Sequence, residues 1–124
     1  METVQFNVRD AELLYSFPKP WSDLTTVIRC FKFLNRTAAP TYEELTSCLM
    51  KAQRAGIIQE AEGKYIVENQ WYDKIHAADE SEENEIEAML SFEETFVNID
   101  FAEVTKRVTT LSKEDFQAIV DALR

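Results

Sequence analysis

The fold is decided by residues 40–67, which read PTYEELTSCLMKAQRAGIIQEAEGKYIV. Thr41 and Glu44 have the spacing of a capping box, in which each side chain accepts a hydrogen bond from the backbone N–H of the other residue. Apolar residues then recur at helical spacing, at Leu45, Cys48, Leu49 and Ala52. Gly56 follows, where a helix commonly ends in a left-handed residue. The pattern therefore predicts a helix that begins after Thr41 and ends before Gly56.

Two short apolar segments follow this helix. Residues 57–60 and 64–67 contain β-branched and aromatic side chains and favour strands. The intervening residues 61–63 end in Gly63, which is typical of a three-residue hairpin turn. We therefore expect a small β-hairpin directly after the helix.

Two further helices are predicted before residue 40. Apolar spacing favours the first over residues 10–17, and the two prolines that follow must end it because proline donates no backbone hydrogen bond. Ser22 is the expected N-cap of the second helix, which runs to about residue 35. Three helices followed by a hairpin is the order of a winged-helix unit. We assign residues 8–68 to such a unit and expect a mainly α protein with this small hairpin.

Residues 69–124 are expected to form an acidic helical extension packed on that unit. Helical spacing resumes over residues 71–78, and Ser112 is the expected N-cap of a last helix. Between them lies a predicted amphipathic helix whose inner face consists of Ile86, Met89, Leu90, Glu93, Phe96 and Val97. Residues 101–108 are compatible with a short helix or with an extended segment.

The negative charge is concentrated in this extension. The chain has a net charge of −10, and residues 68–124 carry fifteen acidic and five basic side chains. Nucleic-acid affinity depends largely on neutralisation of phosphates by lysine and arginine, so this charge disfavours DNA or RNA as a partner. One run is a candidate acidic docking strip for a basic partner, or simply a solvated helix flank; it contains Asp79, Glu80, Glu82, Glu83, Glu85 and Glu87.

DNA binding as a dimeric transcriptional regulator is the alternative function. In a helix-turn-helix unit the second of the paired helices enters the major groove. The candidate contacts to nucleic acid or to a protein partner are Ser47, Lys51, Arg54 and Lys64. Glu43, Glu60 and Glu62 interrupt this surface and weaken the DNA hypothesis.

The sequence contains no recognisable catalytic, cofactor or metal motif. His76 is the single histidine, and the chain has only two glycines, so a glycine-rich phosphate cradle cannot be built. Cys30 and Cys48 fall on apolar helix faces and are expected to be buried free thiols of a cytoplasmic protein. No apolar run is long enough for a membrane span, and the first residues do not resemble a signal peptide. We expect a non-enzyme without cofactor, metal, membrane or small-molecule substrate.

The motifs at residues 40–45 (PTYEEL), 55–58 (AGII) and 63–65 (GKY) resemble those of a group of small, uncharacterised winged-helix proteins of bacteria. The likeness covers about residues 10–67 and implies a fold rather than an activity. The chain departs from the pattern at Ala52, where a larger apolar residue is usual.

Two aromatic residues lie off the apolar stripes of their helices, namely Phe33 and Tyr72. Aromatic side chains at a surface commonly mark a binding patch. The sequence therefore favours a protein-interaction or structural module, whose partner is another protein or a second copy of the chain in a homodimer.

Overall fold

The computed structural model describes residues 3–35, 38–80 and 84–123, and of Glu80 only the backbone. The helices are α1 (Val8–Tyr15), α2 (Leu24–Leu34), α3 (Tyr42–Arg54), α4 (Asn69–Ile75), α5 (Glu85–Phe96) and α6 (Lys113–Ala122), with a 3₁₀ turn at Ala77–Glu80. The strands are β1 (Thr3–Val4), β2 (Trp21–Asp23), β3 (Ile58–Ala61), β4 (Lys64–Val67) and β5 (Phe101–Ala102). The protein is mainly α with a small hairpin, as expected.

Helix α3 begins and ends as its sequence predicts. The Thr41 hydroxyl accepts from the backbone N–H of Glu44 at 3.1 Å, and the Glu44 carboxylate accepts from the backbone N–H of Thr41 at 2.8 Å. At the other end Gly56 has φ +75°, and the N–H of Ile57 donates to the Ala52 carbonyl at 2.9 Å. These are the two bonding patterns of a capping box and of a Schellman ending.

Strands β3 and β4 form the expected hairpin, and β2 joins it to make a three-stranded antiparallel sheet in the order β2–β4–β3. The turn has two residues rather than the predicted three, because Ala61 pairs with Lys64. Both turn residues, Glu62 and Gly63, have positive φ, which is the conformation that matches the twist of a two-residue hairpin.

The prediction of Ser22 as an N-cap is wrong. Ser22 lies within β2 and pairs with Tyr65, and the N-cap of α2 is Asp23, whose carboxylate accepts from the backbone N–H of Thr26 at 2.8 Å. That hydrogen bond holds the pKa of Asp23 below its usual range, and the charge of Lys64 lowers it further. The error arose because β2 is too short to show an alternating pattern.

Helix α5 is rotated relative to the predicted face. Its buried residues are Ala88, Met89, Phe92, Glu93 and Phe96, whereas Ile86 and Leu90 are about half exposed. The helix packs against both α1 and the 3₁₀ turn. The burial of its inner face is therefore set by two neighbours, which the apolar spacing of one helix does not reveal.

The helix considered for residues 101–108 does not form; Phe101 and Ala102 pair with β1, and no helix is assigned from there to α6. The backbone of this segment is instead hydrogen-bonded to residues at the end of α3. Val104 donates its N–H to the Arg54 carbonyl at 2.7 Å. The buried Gln53 side chain donates to the Thr109 carbonyl at 2.8 Å and accepts from the Thr109 N–H at 2.9 Å.

Apolar residues from both sides of the predicted boundary at residue 68 share one hydrophobic core. Phe6 packs on Phe96 at 4.7 Å and on Phe101 at 5.2 Å between ring centroids, and Trp71 lies 5.1 Å from Phe101. The division into units 8–68 and 69–124 stays a prediction. Among the described residues, no helix has both the length and the apolar character needed to cross a membrane.

Candidate functional site

A groove of about 460 Å³ lies between α2, the end of α1, α4 and the start of α5. We call it the α2 groove; it is lined by Tyr15, Ser16, Pro18, Arg29, Cys30, Phe33, Leu34, Tyr72, His76, Asp79 and Glu85. It brings together the two aromatic residues that lie off their helix stripes and two members of the acidic run. The sequence indicated each pair separately but not that they meet.

Phe33 is the most exposed apolar side chain of the groove. The inner face of α2 consists of Leu24, Val27, Ile28, Phe31 and Leu34. Phe33 lies outside this face, so its ring points away from the core and is 77% exposed. Tyr72 on the opposite wall is half-buried, and its hydroxyl donates to the Pro18 carbonyl at 2.7 Å. The groove therefore combines a free aromatic ring with a fixed one.

The groove lining includes a hydrogen-bonded network centred on the exposed carboxylate of Asp79. Its carboxylate accepts from the Tyr15 hydroxyl, and its second oxygen lies 3.0 Å from His76 Nδ1. His76 Nε2 lies 3.1 Å from the Phe17 carbonyl, so both ring nitrogens face oxygen atoms. Burial, followed by the bond to Asp79, raises the pKa of Tyr15, which keeps this phenol protonated.

Cys30 is half-buried rather than buried as expected, and its thiol is not activated. Burial raises its pKa, and the nearby charge of Glu85 raises it further against the opposing effect of Arg29. A nucleophilic cysteine requires the opposite shift. Cys48 is fully buried, and burial raises its pKa as well. Neither thiol forms a disulfide.

The acidic docking strip is only partly described. Asp79 and Glu85 line the groove, and Glu87 is exposed in the first turn of α5, where Asn84 caps the helix by accepting from its backbone N–H at 2.9 Å. Glu82, Glu83 and the side chain of Glu80 lie outside the described residues. Among the described carboxylates of this strip, Asp79 already binds Tyr15 and His76. Glu85 and Glu87 face the groove or the solvent.

Two of the four candidate DNA or partner contacts bind carboxylates of the protein itself. Lys51 forms an ion pair with Asp10, whose side chain is only 2% exposed. Arg54 binds one oxygen of Glu103 through Nε at 2.8 Å and through Nη2 at 2.6 Å. Both cations are therefore largely neutralised where they stand.

The other two candidates remain at the surface. Ser47 is exposed on α3, and Lys64 is exposed on β4 with its ammonium 4.6 Å from the centre of the Trp21 ring. Trp21 is itself 53% exposed, and Ile66 lies beside it on the outer face of the sheet. Lys64 thus lies on the hairpin, as expected, on a mixed apolar and cationic surface.

No group of histidine, cysteine, aspartate and glutamate side chains in the described part of the chain is arranged to hold a metal ion. Comparisons with protein families, with curated proteins and with solved structures found no match to this chain.

The link from Tyr15 through Asp79 to His76 was missed by sequence reasoning. It joins α1 to the 3₁₀ turn across 64 positions of the chain. No periodicity carries a signal for such a contact, because it depends on how α4 turns back towards the end of α1.

Proposed function

We propose that the chain is a non-enzymatic, cytosolic protein-interaction module on a winged-helix scaffold, and that its α2 groove binds a basic segment of a protein partner. A single exposed apolar residue is ordinary on a protein surface. The observation that carries the proposal is that Phe33, 77% exposed, lines a groove together with Tyr72 and the carboxylate of Glu85. An aromatic anchor bordered by charge is typical of the energetic centre of an interface.

The order of elements supports the scaffold. Helix, strand, helix, helix and a two-stranded hairpin follow one another from α1 to β4, with β2 paired to the second hairpin strand. The three helices followed by a hairpin match the winged-helix order given above, with the short strand β2 added between α1 and α2. The scaffold by itself indicates no activity, since one fold serves many functions.

Charge supports a basic partner. The run at residues 79–87 contains six carboxylates and no lysine or arginine, and it borders the groove through Asp79 and Glu85. Such a field speeds encounter with a cationic segment and disfavours an acidic one. A basic peptide with one apolar side chain would match both the charge and the exposed ring.

The DNA-binding alternative is supported less well. Release of Lys51 to a phosphate would leave the buried Asp10 without its cation, and an uncompensated buried charge is strongly destabilising. Arg54 would likewise have to leave Glu103. Affinity for DNA depends on several phosphate contacts, and these two cations are the ones that α3 was expected to supply.

The test is fluorescence anisotropy with a labelled peptide of alternating lysine and leucine, measured at two salt concentrations and compared with a labelled DNA duplex. Burial of a phenylalanine side chain is worth about 1.5–3 kcal/mol, so Phe33→Ala should weaken peptide binding about 10- to 100-fold. Ile66→Ala, which removes an exposed apolar side chain from the sheet, is the matched control and should leave the affinity unchanged.

Glu85→Gln should slow association and flatten the salt dependence, because a charge at the edge of an interface acts mainly on the encounter rate. Light scattering on the same samples identifies a second copy as the partner if Phe33→Ala converts a dimer into a monomer. Salt-dependent micromolar binding of the duplex that survives Phe33→Ala would refute the proposal in favour of DNA.

A further inference from the structure

A second groove lies on the other side of α4. It has a volume of about 610 Å³ and is bounded by α4, the 3₁₀ turn and α5. Tyr72 and His76 line the α2 groove, whereas Trp71, Lys74 and Ile75 line this one, which we call the α4–α5 groove. The volume lies within the range of about 300–1,000 Å³ that is common for small-molecule sites.

The walls of the α4–α5 groove are apolar and held in place by the core. Ile75 and Phe96 are almost fully buried, and Phe92 is 8% exposed. Phe92 stacks on Phe96 at 4.8 Å between ring centroids, and Trp71 meets Phe96 edge-on at 6.0 Å. Side chains packed in this way change little when the groove is filled, so the site is preformed.

The charge of this groove is opposite in sign to that of the chain. Lys74 is the one charged side chain among the described residues that line it, in a protein with a net charge of −10. Its ammonium lies 4.5 Å from the centre of the Trp71 ring, at the edge of the apolar wall. Ser91 and Thr95 supply hydroxyl groups on the α5 side.

We infer that the α4–α5 groove binds a small amphiphile with one anionic head, and that a medium-chain carboxylate is the matching class. The alkyl chain lies against Trp71, Ile99 and the accessible edge of Phe92, where its burial supplies most of the affinity. The carboxylate lies at Lys74, which selects an anion over a neutral or cationic head. Because the α2 groove shares none of these residues, this site does not depend on the function proposed above.

The experiment titrates decanoate, below its micelle concentration, into a Trp21→Phe protein whose only remaining tryptophan is Trp71. We expect a saturable change in tryptophan fluorescence. Decanol should bind about three- to fivefold more weakly, because a solvent-exposed ion pair contributes only modestly, and decyltrimethylammonium should bind more weakly still. Tighter binding of the cationic amphiphile than of decanoate would overturn the inference.

Two variants in the same background locate the site. Lys74→Gln should lower decanoate affinity to that of decanol while leaving decanol unchanged, and Thr95→Phe should abolish both by filling the groove. Urea denaturation of each variant shows that it is folded, so that a lost response reports on binding. An unchanged decanoate affinity in Lys74→Gln, a response that persists in Thr95→Phe, or no saturable response in the parent protein would each refute the site.

Discussion

Substitution of Lys51 by methionine tests whether this cation belongs to the interior of the protein or to a binding surface. The Lys51 ammonium pairs with Asp10, and the exposed fractions of the two side chains are 21% and 2%. Methionine keeps most of the apolar stem but removes the charge, which also lies 5.7 Å from the centre of the Phe6 ring. The variant therefore isolates the electrostatic part of the contact.

The magnitude follows from the burial of the pair. Loss of one partner from a fully buried ion pair costs about 3–5 kcal/mol, and an exposed pair contributes about 0–1 kcal/mol. Asp10 keeps one hydrogen bond from the backbone N–H of Asn7 at 2.9 Å, and Lys51 is partly solvated. We therefore expect the free energy of unfolding to fall by about 2–3 kcal/mol, between these two limits.

The assay is urea denaturation followed by circular dichroism, with a double-mutant cycle. Lys51→Met, Asp10→Asn and the double variant should give a coupling energy of at least about 1 kcal/mol, because the two side chains are in direct contact. Lys106→Met, at an exposed position, is the matched control and should change stability by no more than about 0.5 kcal/mol.

A loss below about 0.5 kcal/mol for Lys51→Met, or a coupling energy near zero, would refute the reasoning. Either result would mean that the ammonium is solvated and free to meet a phosphate, and the DNA-binding alternative would gain support. A DNA-binding measurement on Lys51→Met would not replace this test, because the test concerns the stability of the Lys51–Asp10 ion pair.

Glu93→Gln should stabilise the protein at neutral pH, and Glu94→Gln, at an exposed position, is the control. Burial raises the pKa of Glu93, and the charge of the neighbouring Glu12 raises it further. The stability that this carboxyl contributes is therefore present below its unfolded pKa and lost as the pH rises through the folded pKa. Urea denaturation across pH 4–8 measures this, and an unchanged profile would contradict it. Gly56→Ala should lower the free energy of unfolding by at least about 2 kcal/mol, and by more than Gly63→Ala does. Both glycines have positive φ, but only a Cβ at position 56 would lie 2.9 Å from a methyl group, that of Val104. Thermal melts rank the two, and equal losses would show that the backbone strain alone decides.

The sequence by itself determined the central part of the fold. The capping box at Thr41, the apolar stripe of α3 and the glycine at position 56 all act within one or two helical turns, and each was found as predicted. Such local signals are readable because the donor and the acceptor lie a few residues apart in the chain. The unexposed thiol of Cys48 and the outward placement of Phe33 follow from the same helical spacing.

The short and long-range elements were missed for the opposite reason. Strand β2 has three residues, too few for a pattern, and exists because β4 offers it a backbone edge. The extended path of residues 103–112 is held by Gln53 and Arg54 of α3, which sequence reasoning placed on a helix without assigning them a distant partner. A side chain that satisfies the backbone of a segment far along the chain leaves no periodic trace.

The candidate site divides in the same way. The residue types were visible from the sequence: an aromatic ring off its helix stripe at Phe33, and a run of carboxylates that begins at Asp79. Only the tertiary structure decided that they border one groove, that Asp79 is already bound by Tyr15 and His76, and that Lys51 neutralises Asp10. Helical spacing fixes the direction of a side chain from its own helix, but the partner that it meets depends on how separate helices pack, because packing is settled by the core as a whole.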